Sequence, residues 1–536
     1  MDELLNIDEW LVTPENPPRT VEGMDHQRCA ALHNYLIQYA WVASNRDLGD
    51  FESQSWFEKH GDKANEIRER LEPSLVKFLE SVYDSSELDV SLFYWVSRLN
   101  DPDALWENWE EFAEEGEEYR RMTLYRTNTG LLGGHTDGLC YDQKLHKAVM
   151  FISIDDHDFA NKDEDAHLWY PLETVLSNWI VTMRMGKITA GPDGVKLDNE
   201  KYNPWMYHSY SPQQVEDTVA AFNRLVVAIE SRIPTARRRW PTSTPVLSHK
   251  LLDSALVPNP SFARSCLTTI RLPSFKYIAP GLLIPTPETF VQSQLFTSIK
   301  DEDDKFAIPP VLLFRAQETL KCDPDDSNLF GPVYSSVLQD KQIPAGVYTD
   351  AISRRAEDTA EEGFRLILPF PIGKNEYARK STGQLIDGNF ADLYQHGFKP
   401  FGGDWTRAQR LVSLLDNWTG MVERGLWEVG EDGLRVGLRS LRRLTRRRGG
   451  SIIGLSLIGK FEMELLLQTI SNALNLARPI SPLNNSPPVT GTRCKRLLGA
   501  VTLRSFSDSS MPRPMSTPLL MGRGGLRCKR LLKAII

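Results

Sequence analysis

The sequence predicts an α+β fold, and three observations carry that expectation. Helical stripes and strand-length apolar runs both occur, and they mix without the regular alternation that marks a doubly wound sheet. The 536 residues are 41% hydrophobic and include 22 Phe, 16 Tyr and 13 Trp, enough large side chains for a sizeable core. Chains that stay unfolded combine low hydrophobicity with high charge, and most of this one has neither.

The elements follow in order. Over 25–44 the periodicity predicts a helix, with Leu32, Leu36, Tyr39 and Val42 on one stripe and Asp25 as its cap. A second helical stretch is expected over 57–82. Residues 104–119 place Trp106, Trp109 and Phe112 three apart among Glu107, Glu110, Glu111, Glu114, Glu115, Glu117 and Glu118. That pattern reads as a surface helix with a solvated acidic face, the sharper alternative being a docking face for a basic partner.

From Tyr119 the character changes. Residues 121–127 alternate and 147–154 form an apolar run of strand length, with the glycine-rich turn 128–134 between them. Residues 171–180 suit a helix opened by Pro171. The clearest helix spans 211–233: Ser211 caps it, Pro212 opens it, and Val215, Val219, Phe222, Val226 and Ile229 recur at steps of four and three. Residues 234–290, rich in Pro, Ser and Thr, read as an irregular packed connection containing the tip Arg237-Arg238-Arg239. Strands are expected over 311–315 and 364–370. A last helix, 406–423, carries Leu411, Leu414, Leu415, Trp418 and Val422 on its inner face. The expected organisation is an N-terminal α+β region (1–233), the connection (234–290), a second α+β region packed on the first (291–434), and a tail (435–536).

Charge sets the tail apart. Residues 435–536 hold 19 Lys and Arg against 3 Asp and Glu, a net +16, and only two aromatics, Phe461 and Phe506. The remainder, 1–434, carries 43 basic against 68 acidic residues, a net −25, which repels nucleic acid and anionic surfaces at long range. With so few apolar anchors the tail is expected to be disordered. It repeats Arg493-Cys494-Lys495-Arg496-Leu497-Leu498 as Arg527-Cys528-Lys529-Arg530-Leu531-Leu532. A basic nucleic-acid arm, a nuclear address or a membrane-touching segment would each use such charge. Local and global signals conflict so sharply after Gly433 that a shifted reading frame or a gene-model artefact is the favoured account of the tail.

Six scattered cysteines form no close pair, so zinc knuckles and redox dithiols are unsupported. The start Met1-Asp2-Glu3-Leu4-Leu5 lacks a secretory pattern, and no uninterrupted apolar run reaches spanning length. A soluble, cytoplasmic protein is expected, nuclear if the tail serves as an address.

The best catalytic candidate is His135-Thr136-Asp137. A His-x-Asp pair with a distal His, here His208, is the ligand set of non-haem iron oxygenases, in which Fe(II) keeps positions open for oxygen and a 2-oxoglutarate-like co-substrate. Arg224 could anchor that co-substrate. The bland alternative is a polar turn in which Asp137 bonds local backbone. His157 with Asp155, Asp156, Asp158, Asp163, Glu164, Asp165 and His167 could bind a cation, but fits a solvated loop better. Asp323, Asp325 and Ser327 hint at a calcium loop, yet Asn328 and Tyr334 stand where glycine and glutamate are needed. Phosphate-cradling and hydrolase motifs are missing from the sequence. The aromatic segment around Trp169, Tyr170 and Trp179 suggests core packing, or else a ligand pocket or partner groove.

The strings Gly134-His135-Thr136-Asp137-Gly138, residues 170–180, and Trp427-Glu428-Val429-Gly430-Glu431-Asp432-Gly433 resemble a family of filamentous-fungal proteins of uncharacterised activity, over roughly 25–433. The resemblance implies no activity, cofactor or catalytic residue. In that family an acidic Lys-Glu-Ala-Asp-Thr-Glu-Glu stretch follows the Trp-Glu-Val run, and this chain departs from it there. Two functional expectations stand together: a non-enzymatic protein that binds a partner or small ligand, or an iron-dependent oxygenase centred on His135, Asp137 and His208.

Overall fold

The computed structural model describes 6–13, 15–84, 90–107, 109, 113, 115–128, 138–151, 169–191, 204–234, 244–321, 330, 333–334, 341–355, 360–367, 369, 393–394 and 411–435. The chain divides into two units, Met1–Leu476 and Ala477–Ile536, and every described residue belongs to the first. The tail expectations for 436–536 lie outside the described residues. The fold is α+β.

Helix α1 spans His26–Ala43, and the Asp25 carboxylate accepts from the Arg28 N–H at its start, the capping role its position predicts. Its buried face runs through Cys29, Leu32, Leu36, Ile37 and Ala40, a stripe rotated from the expected one because Tyr39 and Val42 are only half-buried. The single helix expected over 57–82 is two. Helix α2 (Trp56–Glu66) opens on a Ser55–Glu58 capping box and bends at Gly61 (φ 52°), and α3 (Pro73–Ser81) starts afresh at a proline that the Glu72 side chain caps.

Strands β1 (Val96–Leu99), β2 (Arg121–Thr127), β3 (Gly138–Asp142) and β4 (Lys147–Met150) form an antiparallel sheet in chain order. The helix expected over 104–119 is not found among its described residues. A single turn, Pro102–Ala104, precedes bends and turns, and Trp106 and Trp109 are buried from them. Gly116 at φ 86° marks a backbone no α-helix adopts. The described glutamates there are surface groups: Glu107, Glu115 and Glu118 are exposed, and Glu117 accepts from Arg120 and Lys144. Helix α4 (Leu172–Arg184) follows Pro171, then the hairpin β5 (Ile188–Ala190) and β6 (Trp205–Tyr207).

One core collects these elements. Among the described residues it is formed by those between Ile7 and Tyr207, with Ala360 the sole contributor from later in the chain. Its centre is aromatic: the Phe93 ring stacks on Trp179 at 5.1 Å between centroids and meets Trp205 edge-on at 5.0 Å.

The second half begins with α5 (Pro212–Glu230), whose Ser211 and Gln214 exchange capping hydrogen bonds. The segment expected to be an irregular connection instead carries α6 (His249–Ser254), α7 (Phe262–Thr269), β7 (Tyr277–Ala279), β8 (Leu282–Leu283) and α8 (Pro287–Ser293). Its hydroxyl residues and prolines are helix starts: Ser261 caps α7, and Thr286 with Pro287 opens α8. Strand β9 (Ala307–Ile308) pairs with β12 (Ile352–Ser353) as a separate ribbon. Strands β10 (Leu312–Lys321), β11 (Gln342–Thr349), β13 (Phe364–Ile367), β14 (Leu393–Tyr394), β15 (Val429–Gly430) and β16 (Gly433–Leu434) join β7 and β8 in one sheet. Its order is β14-β13-β11-β10-β8-β7-β16-β15, antiparallel except where β16 meets β7.

Helix α9 (Leu411–Glu423) lies beside α5, and together with the sheet they bury a second core. Phe222, Val226 and Ile229 of α5 join Leu414, Leu415, Trp418 and Val422 of α9 there, with Phe314 stacked over Phe222 at 6.2 Å. So α5, grouped by sequence with the first region, supplies its inner face to the second core. A smaller cluster of Phe296, Leu312, Phe330, Tyr334, Ile343, Tyr348 and Ile367 fills the space around β10, β11 and β13.

Candidate functional site

Of the iron-ligand candidates, His135 and Asp137 lie outside the described residues, and His208 lies within them. The His208 Nε2 is 2.7 Å from the Thr189 hydroxyl, a β5 residue, and its backbone N–H donates to the Lys187 carbonyl. Burial, with the nearby Lys187 charge, holds the imidazole below its ordinary pKa, so the ring is neutral at neutral pH. Ligation through Nε2 would break the Thr189 bond. Arg224 plays no part near His208: its guanidinium forms a bidentate pair with Asp416 at 2.7–3.0 Å, tying α5 to α9. Among the described residues no group of three or more His, Cys, Asp or Glu side chains is placed to hold a metal ion. The His157 cluster, the Arg237–Arg239 tip and Asp323, Asp325 and Ser327 lie outside the described residues.

His208 instead borders a buried polar junction. The Lys187 Nζ is 3.1 Å from Glu362, donates to the Ser209 carbonyl at 2.6 Å, and sits 5.1 Å from the centre of the Tyr207 ring. Gln214 of α5 donates to the same Glu362 carboxylate at 2.5 Å. Next to it, Glu361 accepts from Ser209 and Arg354, both through Oε1, and from the Phe262 N–H at the start of α7 through Oε2. The junction joins β5–β6, α5 and α7 by satisfied charges, as a structural fastening would.

The aromatic segment does not form one pocket. Trp169 packs in a satellite cluster with Trp109, Cys140, Val149 and Phe151, whereas Trp179 is fully buried in the first core. Half-buried Tyr170 exchanges two backbone hydrogen bonds with Ala148 of β4. Tyr170 and Pro171 separate Trp169 from the helix, the two tryptophans pack in different clusters, and core packing accounts for both.

A site that carries no sequence motif lies between α8 and the large sheet. A cavity of about 320 Å³ opens there, walled by Leu283, Ile284, Phe290, Leu312 and Leu313. Its polar groups are Arg315, Lys276, Gln317, Thr286, Thr289, Ser293 and Gln294, and among the described residues no carboxylate, imidazole or thiol lines it. Two devices hold the wall. The Gln294 amide donates to the Leu312 carbonyl and accepts from the Leu312 N–H, each at 3.0 Å, which pins the end of α8 to β10. Across β10, Gly346 of β11 sits opposite Arg315 at φ 154°, and a Cβ there would come within 2.3 Å of the Phe314 carbonyl oxygen. Only glycine allows that close pairing.

Arg315 is half-buried and its Nη1 donates to the Ser293 hydroxyl at 3.0 Å. That hydroxyl in turn donates to the Thr289 carbonyl at 2.6 Å, so the guanidinium is oriented by a hydroxyl with a fixed direction. Lys276 at the rim faces Asp432 at 3.7 Å. Sequence reasoning missed this site because its walls come from residues 276 to 317, divided between the expected connection (234–290) and the second α+β region (291–434). Among the described residues no helix is long and apolar enough to cross a membrane. In comparisons with known proteins, no family model, no curated protein and no solved structure matches the chain.

Proposed function

We propose that this chain is a non-enzymatic binding protein and that the cavity between α8, β8 and β10 holds a small, largely apolar molecule. The observation that carries the reading is the cavity itself: about 320 Å³ of space with an apolar wall and a few polar groups at fixed positions. That is the usual make-up of a small-molecule site. Among the described residues its lining offers hydroxyls, amides and cations but no acid–base pair or activated nucleophile, which favours holding a ligand over transforming it.

Octan-1-ol is a suitable neutral probe. Anything that binds the folded state alone raises its thermal midpoint, by about 2.7 kcal/mol of stability at a hundredfold excess over Kd. Octan-1-ol is expected to raise the midpoint of the wild-type protein. It should leave that of Leu283→Trp, in which the indole occupies the cavity, unmoved. Equal shifts in both proteins, or none in either, would overturn the reading.

A further inference from the structure

We infer that the molecule held beside α8 is a monocarboxylate with an apolar body, about ten non-hydrogen atoms in all. The inference rests on the binding reading above and adds the head group. Three observations point to it. Arg315 lines the cavity, and among the described residues its one side-chain hydrogen bond goes to a neutral hydroxyl, Ser293 Oγ. Among the described residues no carboxylate lines the cavity to compensate that charge, while the other lining cation, Lys276, already faces Asp432. The guanidinium is partly withdrawn from water beside apolar walls, where an unopposed charge is costly and a charge-assisted pair is correspondingly strong.

The geometry favours a planar anion over a point charge. Nη1 is committed to Ser293, which leaves the remaining N–H groups of the fork for two oxygens of one carboxylate. The hydroxyl relay from Thr289 through Ser293 fixes the plane of that fork before any ligand arrives. Such preorganisation removes part of the ordering cost of binding. Phe290, Leu312 and Leu313 then face the ligand's apolar body. A volume near 320 Å³, at ~30 Å³ for each water-sized unit, suits about ten such units, the size of octanoate or 3-phenylpropanoate.

The test compares octanoate, 3-phenylpropanoate and octan-1-ol by titration calorimetry at pH 7, on the full chain and on Arg315→Met and Arg315→Lys. Octanoate or 3-phenylpropanoate should bind the wild type about tenfold or more tightly than octan-1-ol. The preferred acid identifies an aliphatic or an aromatic body. In Arg315→Met the acid's advantage should vanish while octan-1-ol affinity stays within twofold. Arg315→Lys, which keeps the charge and loses the planar fork, should fall between them. If octan-1-ol binds the wild type as well as both acids do, the carboxylate inference is overturned and the binding reading survives. If neither the acids nor the alcohol bind, both fail together. The wild-type comparison needs no variant, so a folding defect in Arg315→Met leaves the test decisive.

Discussion

Lys187 and Glu362 stand 3.1 Å apart with 0% and 2% of their side chains exposed, at the point where the β5–β6 hairpin meets the start of α5. Two buried charges are tolerable only when each compensates the other and their remaining polar positions are filled, as Ser209 and Gln214 fill them here. Removing one partner strands the other. Lys187→Met is therefore expected to cost about 3–5 kcal/mol of stability, read as a lower urea midpoint. The double variant Lys187→Met/Glu362→Gln should recover part of that loss. A single variant as stable as the wild type would show that the pair contributes little.

His33 gives a pH dependence with a definite sign. Its Nε2 is 2.9 Å from the Tyr83 carbonyl and its Nδ1 2.9 Å from the Tyr125 hydroxyl, so Nε2 carries the proton and Nδ1 accepts. Burial lowers its pKa from 6.5 to about 4. Between those values the unfolded chain takes up a proton that the folded one refuses, so stability is fully present above pH 6.5 and is lost as pH falls towards 4. At ~1.4 kcal/mol per pKa unit the loss approaches about 3 kcal/mol. Urea unfolding at pH 7 and pH 4.5 should show a smaller pH effect in His33→Gln than in the wild type. The same pH effect in both proteins would remove His33 from the account.

Arg28 holds down the segment before α1. Its buried guanidinium donates to four backbone carbonyls, those of Trp10, Leu11, Asn16 and Pro17, at 2.6–2.9 Å. Arg28→Met leaves these acceptors to water, and hydrogen bonds to a charged group contribute about 1.5–3 kcal/mol each when lost singly. The expected result is fast amide exchange of residues 10–17 with α1 still protected, since the Asp25 cap depends on the Arg28 backbone and not on its side chain. Unchanged exchange in that segment would show another anchor to be sufficient.

Much of the fold was legible because caps and periodicity agreed. Ser211, Pro212 and Gln214 announce α5, Asp25 announces α1, and the Leu414–Trp418–Val422 stripe announces α9. Residues 104–119 misled because a three-residue spacing of tryptophans suits turns as well as a helix, and a run of glutamates supplies no attraction to hold α-helical geometry. Residues 234–290 misled for the opposite reason: proline beside serine or threonine is the signature of a linker and also of a short capped helix. The cavity could not be read at all. Arg315, Phe290 and Ser293 become neighbours only through pairing of β8 with β10 and docking of α8, and neither leaves a mark in local sequence.

The two cores also differ in when their parts exist. Among the described residues, every member of the first lies at or before Tyr207 except Ala360, whereas the second draws on the chain from Ala221 to Leu434. A ribosome releases the amino-terminal half first, at roughly 5–20 residues per second. The aromatic layer around Phe93, Trp179 and Trp205 can thus close many seconds before α9 has been translated. Protease challenge of stalled nascent chains should find that layer resistant while the later one is still cleavable. Substitutions in the early layer would then act during synthesis, and those in the late layer only after release.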